Sequence, residues 1–444
     1  MLRREYLEII APYNFWGREV DTGIWRDIYV EKILRAFSIP SIVVSVTGVR
    51  RAGKTYICRQ VLRRLIERGM RKEQTLYINL EDPSLQPYLS TDFLQDLYDT
   101  YRHYLNPGDE TVMVLDEVQN LPGWERWVRA MMEKNENIRI IVTGSSSKIM
   151  GVELSHILTG RYIDVRVYPL SFIEYLRFRD VSTENIDIRR REVENAFMEY
   201  LEYGGFPTVV LTKDREMRRE FLKELFESIV TRDIAARYSL RKIHELKSSV
   251  VILLQSISAM SSVQKVVNIL KSTGVKISPV TVNEYLHYLQ ESLLFQFVPI
   301  FSYKVKDHMQ YPKKVYCVDT GLINAVAFRM SENLGRLAEN VVATELFHRY
   351  GDNSVFYWKD RMGREVDFVI VENRKPLQLI QVTWDVGNRR TRDREIRAIL
   401  SAAEELSVDK LLILTANTEE RLRINHRDIE MVPIWKWLLQ AESR

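Results

Sequence analysis

A chain of 444 residues has room for two to four domains, and 45% hydrophobic with 28% charged residues marks it as globular. Nowhere do eighteen apolar residues run together, which excludes an apolar membrane-spanning helix, and 64 basic residues nearly balance 60 acidic ones, so the net charge of +4 permits nucleic acid without demanding it. Cys58 and Cys317 are too far apart for metal-ligand spacing and make no disulfide framework; with no apolar signal-peptide core at the N-terminus, a cytoplasmic location is expected.

Residues 1–40 read as a helical lead-in with aromatic and charged residues. Within it, Gly17-Arg18-Glu19 is either an extended linker lying on an adenine ring or a solvated turn. The decisive stretch follows at residues 41–55, where an apolar β-branched run ends in GVRRAGKT. This fits G-x-x-x-x-G-K-[ST], with Gly48, Gly53, Lys54 and Thr55 at the required positions and Val49, Arg50, Arg51 and Ala52 between them. Glycines let successive N–H groups face one anion, and the helix entered through Lys54, Thr55 and Tyr56 adds its positive dipole end. Lys54 is then placed for the β- and γ-phosphates of ATP, and the Thr55 hydroxyl for Mg2+. The plain alternative is a glycine turn between strand and helix.

From residue 41 to about 170, apolar runs at 42–47, 75–80, 111–117, 138–143 and 163–167 alternate with helical periodicity. Such alternation predicts an α/β fold with a mostly parallel sheet, helices on both faces and ligands at the strand C-termini. TVMVLDE delivers Asp116 and Glu117 to the end of a buried strand, Asp116 as a magnesium ligand and Glu117 as the base that orients water. Thr143 and Ser145 stand at the next strand tip, either as sensors of the γ-phosphate or as helix-capping hydroxyls. Arg161 precedes the fifth strand, where a guanidinium stabilises transition-state charge in its own site or a neighbour's, or simply forms a surface ion pair.

GVRRAGKT, INLEDP at 78–83, VLDEVQN at 114–120, TGSSS at 143–147 and LTGRYIDVRVYPLSFIEYL at 158–176 together resemble a large family of prokaryotic AAA-type ATPases with a C-terminal region of undefined function. The resemblance extends over nearly the whole chain. It implies a P-loop NTPase core of the additional-strand class with strand order 5-1-4-3-2, ATP and Mg2+ as cofactors, and catalytic roles for Lys54, Thr55, Asp116 and Glu117. Arg50 and Arg51 also match the family, without an assigned role.

Beyond the core at 41–170, residues 171–244 read as a helical lid, broken at Gly204-Gly205-Phe206-Pro207. Residues 245–310 give helix, turn, helix and a candidate wing strand, an order that resembles a winged helix whose reading helix exposes Asn283, His287 and Tyr288. Residues 311–444 give a helix carrying Glu339, a hairpin turning at Met362-Gly363 and a further strand, which resembles a small α/β restriction-endonuclease-like domain. That resemblance implies a second metal site at Glu339, Asp367 and Gln381. Thr383 stands where it expects a lysine, with Lys359 a replacement from another direction, so a retired nuclease scaffold is the favoured expectation. The sequence thus predicts a magnesium-dependent ATPase that handles DNA or a protein partner through its C-terminal half, without membrane contact and compatible with a homo-oligomer. An ATP-gated nuclease and a non-hydrolysing nucleotide switch are the alternatives.

Overall fold

In the computed structural model, whose described residues are 3–108, 110–134, 137–145, 160–327 and 334–440, the chain divides into two units, Met1–Tyr168 and Pro169–Arg444. Ser146 and Ser147, and the start of the 158–176 motif, lie outside the described residues.

The first unit is built on β1 (Val43–Thr47), β2 (Thr75–Asn79), β3 (Thr111–Asp116), β4 (Ile138–Gly144) and β5 (Tyr162–Arg166). They form one parallel sheet in the order β2-β3-β4-β1-β5, which is the expected 5-1-4-3-2 arrangement read from the other edge. Every residue of β1 and β3 is buried, which is why both read as unbroken apolar runs rather than alternating ones. Helices α1 (Arg4–Ile10), α2 (Asp27–Ala36), α3 (Lys54–Glu67), α4 (Thr91–Leu105) and α5 (Trp124–Lys134) complete the unit. α4 starts where the Ser90 hydroxyl accepts the Phe93 N–H at 3.1 Å. One core cluster joins Tyr6 and Ile10 of α1, Phe93 and Leu97 of α4, and Trp124 and Val128 of α5 to Ile78, Met113 and Ile140 of the sheet.

The lead-in closes the edge of that sheet. Asn14 accepts from the Tyr77 N–H at 2.7 Å and donates to the Tyr77 carbonyl at 2.9 Å, so its side-chain amide occupies the place of a neighbouring strand beside β2.

The second unit begins with helices α6 (Phe172–Phe178), α7 (Ile186–Tyr203), α8 (Pro207–Leu211) and α9 (Arg215–Ser228), the last continuing into a π-helical turn at Ile229–Ala236. There follow α10 (Ile243–Gln255), β6 (Met260–Ser261), α11 (Val263–Ser272), α12 (Pro279–Glu291), β7 (Phe295–Val298), α13 (Val305–Gln310) and β8 (Lys313–Cys317), with the three strands forming an antiparallel sheet in the order β6-β8-β7. Serines open both middle helices: Ser262 accepts from the Lys265 N–H and Ser278 from the Thr281 N–H. One expectation for α12 changes. Asn283 and His287 are exposed, but Tyr288 stacks on Tyr238 at 3.8 Å between ring centroids, so its face is covered.

α14 (Thr320–Val326) and α15 (Leu334–Tyr350) lead into β9 (Val355–Lys359), β10 (Glu365–Glu372) and β11 (Lys375–Val382), then α16 (Arg389–Leu406), β12 (Lys410–Thr415), β13 (Glu420–Ile424), β14 (Arg427–Pro433) and α17 (Ile434–Leu439). The six strands form one mixed sheet in the order β13-β14-β12-β11-β10-β9. The β9–β10 hairpin turns through Gly363, as the sequence suggests. Two further hairpins were not legible: β10–β11 turns at Asn373-Arg374 and β13–β14 at Asn425-His426, each pair with φ values of 50° and 64°. Two successive positive φ values make the hairpin-favoured primed turn, usually signalled by Asn-Gly, and here the glycine is missing.

Candidate functional site

The phosphate-loop residues connect β1 to α3. A Cβ at Gly48 would lie 2.2 Å from the Val167 carbonyl oxygen, so the position requires glycine for close approach. Gly53 has φ of 102° and even Arg51 sits at φ 64°, which curls the loop tightly above the helix N-terminus. Lys54 is buried; its Nζ donates to the carbonyls of Gly48 at 2.9 Å and Val49 at 3.4 Å and lies 3.8 Å from Glu117 Oε1. Arg50 reaches Glu81, just past β2, at 3.6 Å.

The strand-end acids meet the loop as the spacing predicts. Thr55 Oγ1 donates to Asp116 Oδ2 at 2.9 Å, and the same carboxylate accepts from the Tyr77 hydroxyl and from Thr143 Oγ1. Thr143 also accepts the Glu117 backbone N–H at 2.9 Å, tying the two adjacent strand ends together. Glu117 itself has φ of 57°, a left-handed conformation that a non-glycine residue adopts only when its surroundings impose it, and its carboxylate accepts from Gln119 Nε2. Burial, and then the charge of neighbouring Glu117, push the Asp116 carboxyl above the ordinary range; the hydrogen bonds from Thr143, Tyr77 and Thr55 oppose the rise. Buried Asp116 and half-buried Glu117, with the Thr55 hydroxyl 2.9 Å from the first, make a set of hard oxygen donors. That chemistry would suit Mg2+, and Thr55 and Asp116 are the residues placed to hold it.

Ser145 is buried at the tip of β4 and its Oγ has no hydrogen-bond partner among the described residues. Arg161 is exposed, and its carbonyl accepts the Val43 N–H at 3.0 Å.

Gly17-Arg18-Glu19 is exposed, the solvated turn of its two readings, and the N-terminal linker approaches the site at later residues. Glu19 pairs with Arg63 at 2.8 Å and Lys72 at 3.0 Å, which anchors Gly17-Arg18-Glu19 beside the second half of α3, away from the loop. Closer in, Gln60 of α3 donates to the carbonyls of Thr22 at 2.8 Å and Ile24 at 2.9 Å, and Gly23 packs against the Tyr56 ring. Arg26, only 2% exposed, then donates to the carbonyls of Ala52 at 2.7 Å and Tyr168 at 3.1 Å, holding the phosphate loop and the end of the first unit with one guanidinium. No motif spacing announces Arg26 or Tyr77; an arginine just before an amphipathic helix is normally exposed.

The second unit brings Glu339, Asp367 and Gln381 together, and adds a residue that sequence reasoning missed. Lys314 of β8 places its Nζ 2.6 Å from Asp367 Oδ1, 3.0 Å from Glu339 Oε1 and 2.9 Å from Glu365 Oε1. Gln381 accepts the Asp367 N–H at 3.2 Å and donates to Glu395 at 2.9 Å. Thr383 is buried and carries no cation, while Lys359 lies outside the cluster, 3.7 Å from Glu365. Among the described residues no three His, Cys, Asp or Glu side chains are arranged to hold a metal ion, and no helix is long and apolar enough to cross a membrane.

The parallel sheet, the phosphate loop and the acid pair define the first unit as a P-loop domain of the AAA type, and residues 41–176 match the AAA domain family. Residues 194–333 and 334–437 match two domains of unknown function, DUF8612 and DUF4143. The chain is 33% identical to the uncharacterized protein MJ1544 of Methanocaldococcus jannaschii over 90% of its own length and 89% of that protein, and belongs to the same family. It is also 29% identical to an uncharacterized protein of Haemophilus influenzae, covering 94% of this chain and 99% of that one. Among solved structures, the Aeropyrum pernix ORC1 protein in complex with DNA aligns over 68% of this chain and 91% of that chain at 15% identity and a TM-score of 0.30, too loose a superposition to carry detail from one to the other.

Proposed function

We propose that the first unit binds ATP with Mg2+ and hydrolyses it, and that the second unit uses the result to handle DNA or a protein partner. The observation that supports this reading most directly is the convergence of Thr55, Asp116, Glu117 and Thr143 at the mouth of the loop that carries Lys54. Backbone N–H groups of residues 48–56 and the N-terminus of α3 cradle the phosphates, and Lys54 exchanges its loop carbonyls for their oxygens. Thr55 and Asp116 would hold Mg2+, which would supply charge neutralisation for the phosphates. Glu117 accepts the proton of the water that attacks the γ-phosphorus, while the bond to the β–γ bridging oxygen breaks and ADP leaves. Thr143 holds the Glu117 backbone and the Asp116 carboxylate in register, so both acids stay at the strand ends.

Two features support the partner reading. The order α10-β6-α11-α12-β7-α13-β8, with a three-stranded antiparallel sheet, resembles a winged helix, and Lys271 at the end of α11 and Lys276 in the turn before α12 are exposed. Exposed Arg161 is available to a neighbouring copy. Phosphate release measured across a protein-concentration series, with and without double-stranded DNA, tests the reading. Release that rises more than linearly with protein and increases with DNA supports assembly and a DNA partner; no release under any condition removes the hydrolytic reading altogether.

A further inference from the structure

Lys314 is the feature of the second unit that neither the fold nor the proposed ATP site explains. It lies on the middle strand of the β6-β8-β7 sheet, is 1% exposed, and ranks among the largest fully buried side chains of the protein. Burying an ammonium is costly unless it is surrounded by opposite charge and hydrogen bonds. Its three hydrogens face three carboxylates contributed by two other elements: Glu339 from α15, and Glu365 and Asp367 from β10.

Those carboxylates are not otherwise neutralised to the same degree. Glu365 has Lys359 at 3.7 Å as a second cation. Among the described residues Glu339 and Asp367 have only Lys314 as an ion-pair partner. Their remaining hydrogen bonds come from neutral donors: the Tyr316 hydroxyl to Glu339 at 2.7 Å and the Val382 N–H to Asp367 at 2.8 Å. Glu395, joined to this centre through Gln381, is paired with exposed Arg394 instead. Carboxylate oxygens from a helix and a hairpin strand, all within 3.0 Å of one point, suit a hard divalent cation. In this protein that point is the Lys314 nitrogen.

We propose that the Lys314 ammonium is the resident cation of this carboxylate centre and closes it to divalent metal, and that removing the ammonium uncovers a divalent-cation site at Glu339, Glu365 and Asp367. Burial alone would lower the lysine's pKa, but the charges of Asp367 and Glu339 outweigh it and hold the group well above its ordinary value, so it stays charged throughout the neutral range. The ammonium does two jobs that a metal ion would do: it cancels the repulsion between Glu339 and Asp367, and it cross-links α15 and β10 to β8. It cannot supply a Lewis acid or a metal-bound hydroxide. The second unit therefore binds without metal-dependent cleavage, and its acidic centre is a structural clasp between its two sheets.

The test is Mn2+ binding to the full chain in the absence of nucleotide, for the unsubstituted protein and for Lys314→Met. The methionine keeps an unbranched apolar stem one atom shorter and removes the charge. Lys314→Met is expected to bind one Mn2+ more per chain than the unsubstituted protein, and to lose the extra site in Lys314→Met/Asp367→Asn. Because Glu339 and Asp367 then face each other with no cation between them, Lys314→Met is expected to need Mn2+ to fold. The variant Lys314→Met/Glu339→Gln/Asp367→Asn relieves that repulsion and is expected to fold without it. Three results overturn the proposal: Mn2+ binding by the unsubstituted chain that disappears in Asp367→Asn, a folded Lys314→Met that gains no site, or a triple variant that still fails to fold. The first would mean that metal displaces the ammonium; the last would make the role of Lys314 one of shape.

Discussion

At the scale of single residues, Lys54, Thr55, Asp116 and Glu117 were legible because the phosphate loop fixes its functional groups by spacing and a buried strand fixes where its terminal acids emerge. Arg26, Tyr77 and Lys314 were not, because each reaches its partner through the fold: Arg26 meets Ala52, Tyr77 meets Asp116, and Lys314 meets Asp367 across 53 positions. Arg26 is a positioning residue. Its two acceptors need a planar fork, which lysine lacks, so Arg26→Lys keeps the charge but leaves either Ala52 or Tyr168 without its donor. The expected result is a loss of ATP affinity of about tenfold, the worth of one charge-assisted hydrogen bond, with Tm nearly unchanged. Titration with a non-hydrolysable ATP analogue checks this, with Lys54→Ala as the non-binding reference. Equal affinities for Arg26→Lys and the unsubstituted chain would show that the loop holds its shape without the guanidinium.

Among the elements, the five parallel strands were readable as apolar runs, whereas the serines that cap α4, α11 and α12 were not singled out. The hairpins at Asn373-Arg374 and Asn425-His426 were hidden because Arg374 and His426 stand in the left-handed region where the sequence signal expects glycine. The Gly204-Gly205 break, read only as a helix end, has a more particular cause. Asp319 caps α14 through the Gly321 N–H at 2.8 Å and also accepts the Gly205 N–H at 2.7 Å, so a carboxylate fits where any Cβ at Gly204 would collide with it. Burial raises the Asp319 carboxyl to about 7, against the opposing pull of the Gly205, Gly321 and Leu322 N–H groups. Since the folded value lies above that of the unfolded chain, its stabilising contribution is complete below about pH 4 and is lost as the pH rises through about 7. Relative to Asp319→Asn, the unsubstituted protein should therefore lose on the order of 4 kcal/mol of unfolding free energy between these limits and then level off. Denaturant unfolding of the two proteins over a pH series checks it; parallel curves would place the Asp319 titration elsewhere.

For the whole molecule, the order of the first sheet was legible through the family resemblance, and the AAA domain match over residues 41–176 agrees with it. The C-terminal half was legible in part: α15 and the β9–β10 hairpin stand where the sequence puts them, whereas α13 and α14 were not read. Its chemistry was not, because Thr383 marks only where a lysine is missing, whereas Lys314 enters the acidic centre from a strand of the other sheet. The two units thus have acid clusters of opposite design. In the first, buried Asp116 accepts from the hydroxyl of Thr55 next to half-buried Glu117, a set suited to a metal ion; in the second, Lys314 supplies the cation.

The central claim is that Glu117 activates water at a site where Lys54, Thr55 and Asp116 hold MgATP. Single-turnover phosphate release, measured together with the fraction of ATP retained, tests it most directly in the full chain and in Glu117→Gln. The account predicts that Glu117→Gln retains ATP as the unsubstituted protein does but releases phosphate roughly 10²–10⁴-fold more slowly, the usual contribution of a positioned general base. Release at the unsubstituted rate would contradict it.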